Sequence, residues 1–147
     1  MNGIAPLHNI KDNLWLGSFP QGSVPDHIRY IVCCCGNHPW GQSTRGYTLL
    51  QGQIAISTEF DDIAKMPPEE LIYGIADMVL QLSKQAPTLV HCAAGLNRSG
   101  LVLGTALVRE GMEPADAIKL MRQKRDPLVL FNNTFRNWLL KQTPQPK

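Results

Sequence analysis

No run of apolar residues in this 147-residue chain is long enough to span a bilayer, and its first residues, Met1-Asn2-Gly3-Ile4, carry no charged leader. Those absences set the expectation of a cytoplasmic protein with no membrane partner. Charge of one sign is missing too: 14 Lys plus Arg against 12 Asp plus Glu leave a net +2, and no basic run is long enough to follow a nucleic-acid backbone. Aromatic residues make up 7%, and Trp15, Trp40 and Trp138 are assigned to core or rim with no cofactor role. Four cysteines, three of them consecutive, do not make a disulfide framework and fit thiols in a reducing compartment. There is no internal repeat and no sign of a second domain. With 44% hydrophobic residues the chain has enough apolar surface for one full core, expected over residues 1–142, with a frayed tail over residues 143–147 and a monomeric state.

The pattern that is present alternates strand and helix. Asn13-Leu14-Trp15-Leu16-Gly17, Tyr30-Ile31-Val32-Cys33-Cys34, Ile54-Ala55-Ile56-Ser57 and Thr88-Leu89-Val90 read as short strands bounded by Gly and Pro. Pro68 is placed as the first residue of a helix with Glu69 and Glu70 in its opening turn and an apolar stripe of Leu71, Ile72, Ile75, Met78, Val79 and Leu82. Further helices are expected from Leu101 to Arg109, from Pro114, and from about Asn133 to Lys141, while residues 36–52 have loop chemistry. The expected fold class is α/β, a central and mostly parallel sheet of four to five strands flanked by helices.

Between the last strand and the next helix stands His91-Cys92-Ala93-Ala94-Gly95-Leu96-Asn97-Arg98-Ser99-Gly100. A cysteine opens a glycine-bearing turn from a strand end to a helix start, where successive backbone N–H groups converge on one anion and the helix terminus adds partial positive charge. The field that holds a phosphate also favours a thiolate. Arg98 closes the cradle with a planar fork able to pair two phosphate oxygens.

These residues resemble the active-site signature of the cysteine-dependent protein phosphatases: His-Cys, five residues, then Arg and Ser or Thr. The resemblance covers most of the chain and narrows to the dual-specificity type. Leu14-Trp15-Leu16-Gly17-Ser18 looks like that family's opening strand, and Asn132-Asn133-Thr134-Phe135 is similar to the start of its closing helix. The loop wording is similar to that of small prokaryotic or phage members.

The resemblance implies roles. Cys92 is the nucleophile, active as thiolate. Arg98 and the amides of Ala93, Ala94, Gly95, Leu96, Asn97 and Arg98 bind the three non-bridging phosphoryl oxygens, most tightly as the group flattens in the transition state. Ser99 eases departure of the sulfur from the phosphoenzyme, and His91 organises the loop from behind. The general acid comes from a loop about thirty residues upstream, where Asp61 and Asp62 stand 31 and 30 residues before Cys92. Asp61 is preferred, because an ungapped alignment of the following helix places the acid there; Asp62 is the alternative and Glu59 a third choice. Arg125 either contacts a second substrate phosphate or acidic neighbour, or is a solvated helix end. Asn132 either buttresses the loop or caps the last helix.

Three readings stay open for Cys33-Cys34-Cys35: core packing, a reversible disulfide from Cys35 or Cys34 to Cys92 as in some lipid-directed relatives, or a zinc site with His38. The function expected is hydrolysis of phosphotyrosine, and of phosphoserine or phosphothreonine, in phosphoproteins, with no metal or cofactor. Ala94 and Leu96 stand where inositide-directed enzymes carry charge. An inositide or other non-protein phosphatase, a rhodanese-like sulfurtransferase and a silent phosphate-binding module are the rivals.

Overall fold

The computed structural model describes residues 7–35 and 47–145. Its elements in chain order are β1 (Leu7–Lys11), β2 (Leu14–Gly17), β3 (Tyr30–Cys33), β4 (Ile54–Ser57), α1 (Glu69–Ser83), β5 (Thr88–His91), α2 (Arg98–Arg109), α3 (Pro114–Lys124) and α4 (Asn133–Leu140). The five strands form one sheet in the order β1-β2-β5-β3-β4, with β1 antiparallel to β2 and every other pair parallel.

β1 has no counterpart in the sequence reading. Of its five residues Ile10 alone is buried, and a bulge interrupts its register between Asn9 and Lys11, so it carries neither a clean alternation nor an apolar run. Pro68 precedes α1 as its N-cap instead of opening it, and α2 begins at Arg98, three residues ahead of the apolar run that announced it.

Residues Val32 and Val90 point to one face of the sheet, where Ile72, Ile75 and Val79 of α1, the apolar face of α2, Met121 of α3 and Phe135 and Leu139 of α4 close a single core. The opposite face, with Ile31 and Leu89, is covered by Val24, Ile28, Phe19 and Tyr47. Burial of α2 over ten consecutive residues, Ser99 to Val108, makes it the central helix of that core. Arg109 at its last turn clasps Asp77 of α1 with Nε and Nη2 at 2.6 and 3.0 Å. Among the described residues no helix is long and apolar enough to cross a membrane. Near the C-terminus the Gln145 N–H donates to Val108 O at 3.3 Å.

What matters for the site is the parallel register. It aligns Gly17 of β2, His91 of β5 and Cys33 of β3 side by side at the carboxyl ends of their strands, so the loop leaving β5 emerges between two neighbouring strand ends. Crevices beyond strand carboxyl ends in an open parallel sheet are where ligands bind.

Candidate active site

From His91 to Arg98 the chain turns through Gly95, at φ +71, before entering α2. A Cβ at Gly95 would lie 2.3 Å from the carbonyl oxygen of Gly17, so this position admits no side chain.

Four consecutive loop carbonyls are held by groups outside the loop. Ala93 O accepts from the Phe19 N–H at 3.0 Å, Ala94 O from Arg125 Nη2 at 3.0 Å, Gly95 O from Arg125 Nε at 2.9 Å and Leu96 O from the Leu130 N–H at 3.0 Å. No peptide bond is cis among the described residues, and in a trans peptide the N–H points opposite to the C=O. Outward carbonyls therefore turn the N–H groups of Ala94, Gly95, Leu96 and Asn97 inward, and the loop becomes a nest of donors.

Cys92 stands at its foot, 3% exposed, with Sγ 3.2 Å from Ser99 Oγ on the first turn of α2. Arg98 opens the same helix. Its Nε is buried and has no hydrogen-bond partner among the described residues, a state costing about 1–3 kcal/mol that an anion in the nest would relieve. His91 is fully buried on the far side of the sheet from the Cys92 sulfur. Its Nδ1 donates to Cys92 O at 3.2 Å, which leaves Nε2 to accept from the Tyr47 hydroxyl at 2.7 Å. Phe19 and Tyr47 pack edge-on against the imidazole. Burial pushes the Tyr47 phenol up, so it stays a donor.

All four cysteines are free thiols. Cys34 is buried in the helix-side core with Cys92; burial first, and then the charges of Cys92 and Cys33, push its thiol up. Cys33 and Cys35 sit 3.4 Å apart, Sγ to Sγ. The hydrogen bond from Cys35 pulls Cys33 down to about 4 against the effect of burial, with His91 contributing, while Cys35 is pushed up by the same bond and by burial. Trp40 and His38 lie outside the described residues.

The two candidate acids are placed differently. Both are exposed, but the Asp61 carboxylate makes no hydrogen bond among the described residues, whereas Asp62 accepts from Asn97 Nδ2 at 3.0 Å and from Asn132 Nδ2 at 2.8 Å. Asn97 is the residue directly before Arg98, and its buried side chain also accepts from the Asn132 N–H at 2.9 Å. Asn132 caps α4 at the same time, its Oδ1 accepting from the Phe135 N–H at 3.1 Å. Loop support and helix capping are thus one arrangement. Beside it opens a cleft of about 500 Å³ between Asp62, Ile63, Asn97, Phe131 and Asn132. Glu59 is exposed and its backbone bridges Cys35.

Arg125 is not merely a solvated helix end: besides its two carbonyls it donates from Nη1 to His8 Nδ1 at 3.0 Å. Burial and the Arg125 charge hold His8 below its ordinary range, as a neutral acceptor. Arg125→Met is expected to cost about 1–3 kcal/mol in urea unfolding and to weaken orthovanadate binding, since two loop carbonyls lose their donor and the nest loosens. Unchanged vanadate affinity would show that the loop holds its shape without the clasp.

Residues 28–145 match the dual specificity phosphatase catalytic domain, and the chain belongs to that family. Among individual proteins it is 30% identical over 123 residues to "Protein tyrosine phosphatase PRL-1" of Trypanosoma cruzi (strain CL Brener), covering 81% of this chain and 66% of the relative. It is 32% identical over 99 residues to human "Protein tyrosine phosphatase type IVA 3", covering 65% and 56%. The chain therefore spans between 56% and 66% of the length of these curated relatives. The Orf virus tyrosine phosphatase OH1 superposes with a TM-score of 0.72 at 22% identity, over 96% of this chain and 88% of that one. Human DUSP28 gives 0.73 at 19%, over 93% and 92%. Both likenesses are of fold.

Proposed function

We propose that the chain is a phosphomonoester hydrolase that removes phosphate from phosphotyrosine, and from phosphoserine and phosphothreonine, in proteins through a phosphocysteine intermediate. The observation that carries this reading is the loop whose four carbonyls are tied outward, which turns its N–H groups inward between Cys92 at its foot and Arg98 at the start of α2, whose Nε is buried without a partner. A phosphoryl group seated there has its non-bridging oxygens bound by preorganised donors. The Cys92 thiolate attacks phosphorus as the ester P–O bond breaks, and the leaving oxygen takes a proton from an acid. Water then attacks the phosphocysteine, giving its proton to the same carboxylate, and the S–P bond breaks with the Ser99 hydroxyl donating to the departing sulfur.

For the acid the geometry favours Asp62 over Asp61, because it is the carboxylate held against the loop through Asn97. The rate should follow a bell in pH: thiolate formation at Cys92 sets the acidic limb, and loss of the acid's proton sets the basic limb. Asp62→Asn is expected to flatten the basic limb and to lower kcat by about 10²-fold for alkyl phosphates, and by less for aryl phosphates with good leaving groups. If Asp61→Asn flattens that limb and Asp62→Asn does not, the roles are reversed.

Phosphoprotein is supported as substrate by the uncharged Ala94 and Leu96 in the loop and by exposed Ile63 and Phe131 on the cleft beside Asp62, an apolar surface suited to a peptide. The deciding experiment compares phosphate release from an aryl phosphate with sulfur transfer from thiosulfate, followed by phosphopeptides, inositides and nucleotides side by side. Sulfur transfer without phosphate release would replace the reading with a sulfurtransferase, and faster turnover of inositides than of any phosphopeptide would replace the substrate class.

A further inference from the structure

We propose that Cys33, Cys35 and His91 form a site for one thiophilic divalent metal ion of the zinc class, separate from the phosphate nest. One ligand atom from each of these residues lies within 4.8 Å of the other two. Strand geometry creates the cluster. Cys33 pairs with His91 across β3 and β5, so their side chains leave the sheet on the same face, and the period of two returns Cys35 to Cys33. Val32 and Cys34, the residues alternating with Cys33, belong to the helix-side core together with Cys92, and Cys35, beyond the end of β3, packs against the rim of that core while its sulfur meets Cys33.

The sulfur pair suits a tetrahedral ion, and the imidazole, within 4.8 Å of both sulfurs, closes to about 3.6 Å from each as the ion enters. Metal–sulfur bonds of about 2.3 Å at the tetrahedral angle separate two sulfurs by about 3.8 Å, and metal–nitrogen bonds are about 2.0–2.1 Å. The observed sulfur separation of 3.4 Å needs to open by only a few tenths of an ångström. His91 is oriented as a ligand should be: its Nδ1–H is fixed on a backbone carbonyl, which places the lone pair on Nε2. An entering ion displaces the Tyr47 hydroxyl from that lone pair. Two thiolates and a neutral imidazole balance a divalent charge, so the complex is neutral where Cys33 and His91 are buried. Cys35, the partly exposed member, marks the way in, and the fourth position is left for water or an exogenous ligand. His38, the histidine considered from the sequence, lies outside the described residues; His91 on the neighbouring strand is the one brought to the pair.

Binding forms two metal–sulfur bonds and one metal–nitrogen bond and expels the thiol protons, so affinity rises with pH. The test is titration of the full chain with Co²⁺ in a phosphine reductant. The expected result is one equivalent bound, with sulfur-to-cobalt charge-transfer absorption and the visible bands of tetrahedral cobalt, both lost on adding Zn²⁺. Cys33→Ser and Cys35→Ser should each weaken binding by about 10- to 100-fold, while Cys34→Ser and Cys92→Ser leave the spectrum unchanged. Alkylation of the unsubstituted protein gives a second measurement that does not depend on the variants folding: Zn²⁺ should protect Cys33 and Cys35 and leave Cys92 reactive. Absence of a thiolate band, a band abolished by Cys92→Ser, or protection confined to Cys92 would overturn the proposal. The result stands apart from the phosphatase reading, since none of its measurements is of turnover.

Discussion

Cys92→Ser is expected to reduce turnover of an aryl phosphate by on the order of 10⁴-fold or more while leaving the affinity for phosphate esters in place. The two halves of that result have separate causes. The nest is shaped by donors that do not involve the Cys92 sulfur: the Phe19 and Leu130 N–H groups and the Arg125 guanidinium. It therefore survives the exchange. The nucleophile does not, because a serine hydroxyl in the same field stays protonated and the covalent intermediate cannot form at a useful rate. The checks are single-turnover kinetics, with trapping of a phosphocysteine in the unsubstituted protein, and calorimetric titration of a phosphopeptide into the variant. Substantial residual hydrolysis would remove the covalent mechanism, and loss of binding together with turnover would show that the thiolate, not the nest, holds the ester.

The parts of this site that could be read from the sequence are those the chain brings together locally. A strand of Thr88-Leu89-Val90, a cysteine, a glycine and an arginine at the mouth of an apolar helix lie within eleven consecutive residues, and backbone geometry does the rest. The helices were equally accessible, because the stripe of Ile72, Ile75 and Val79 repeats at the helical period and becomes the buried face of α1. What could not be read is the set of donors that turns the loop carbonyls outward. Phe19 comes from the loop after β2, and Arg125 and Leu130 from the segment between α3 and α4, and nothing in the spacing of a motif says which donor from another segment will meet it. Arg125 drew notice for its charge, yet its work is on two peptide carbonyls and a histidine. Between Asp61 and Asp62 spacing gives little basis for a choice for a related reason: adjacent residues differ by a single step of alignment, while their side chains differ in whether Asn97 and Asn132 reach them. The hairpin strand Leu7–Lys11 was missed because an edge strand with one buried residue carries almost no hydrophobic pattern.

Arg98→Lys is expected to lower kcat by about 10²- to 10³-fold, with a smaller rise in KM. Charge is conserved in this exchange, so a purely coulombic attraction for the phosphate would be little changed. The guanidinium differs in shape: two parallel N–H groups match two oxygens of a phosphoryl group at once, whereas an ammonium offers a point charge on a flexible stem. The match improves as the group passes from tetrahedral to planar and trigonal, which places the larger part of the loss in the transition state. Lysine also lacks a counterpart of the buried Nε, the one side-chain polar atom among the described residues that is buried without a partner. Orthovanadate, which adopts the five-coordinate geometry of the transition state, should therefore lose more affinity than inorganic phosphate on this substitution, and unfolding by urea should show no comparable change in stability. Equal losses for the two oxyanions would reduce Arg98 to a source of charge, and the fork would have no part in catalysis.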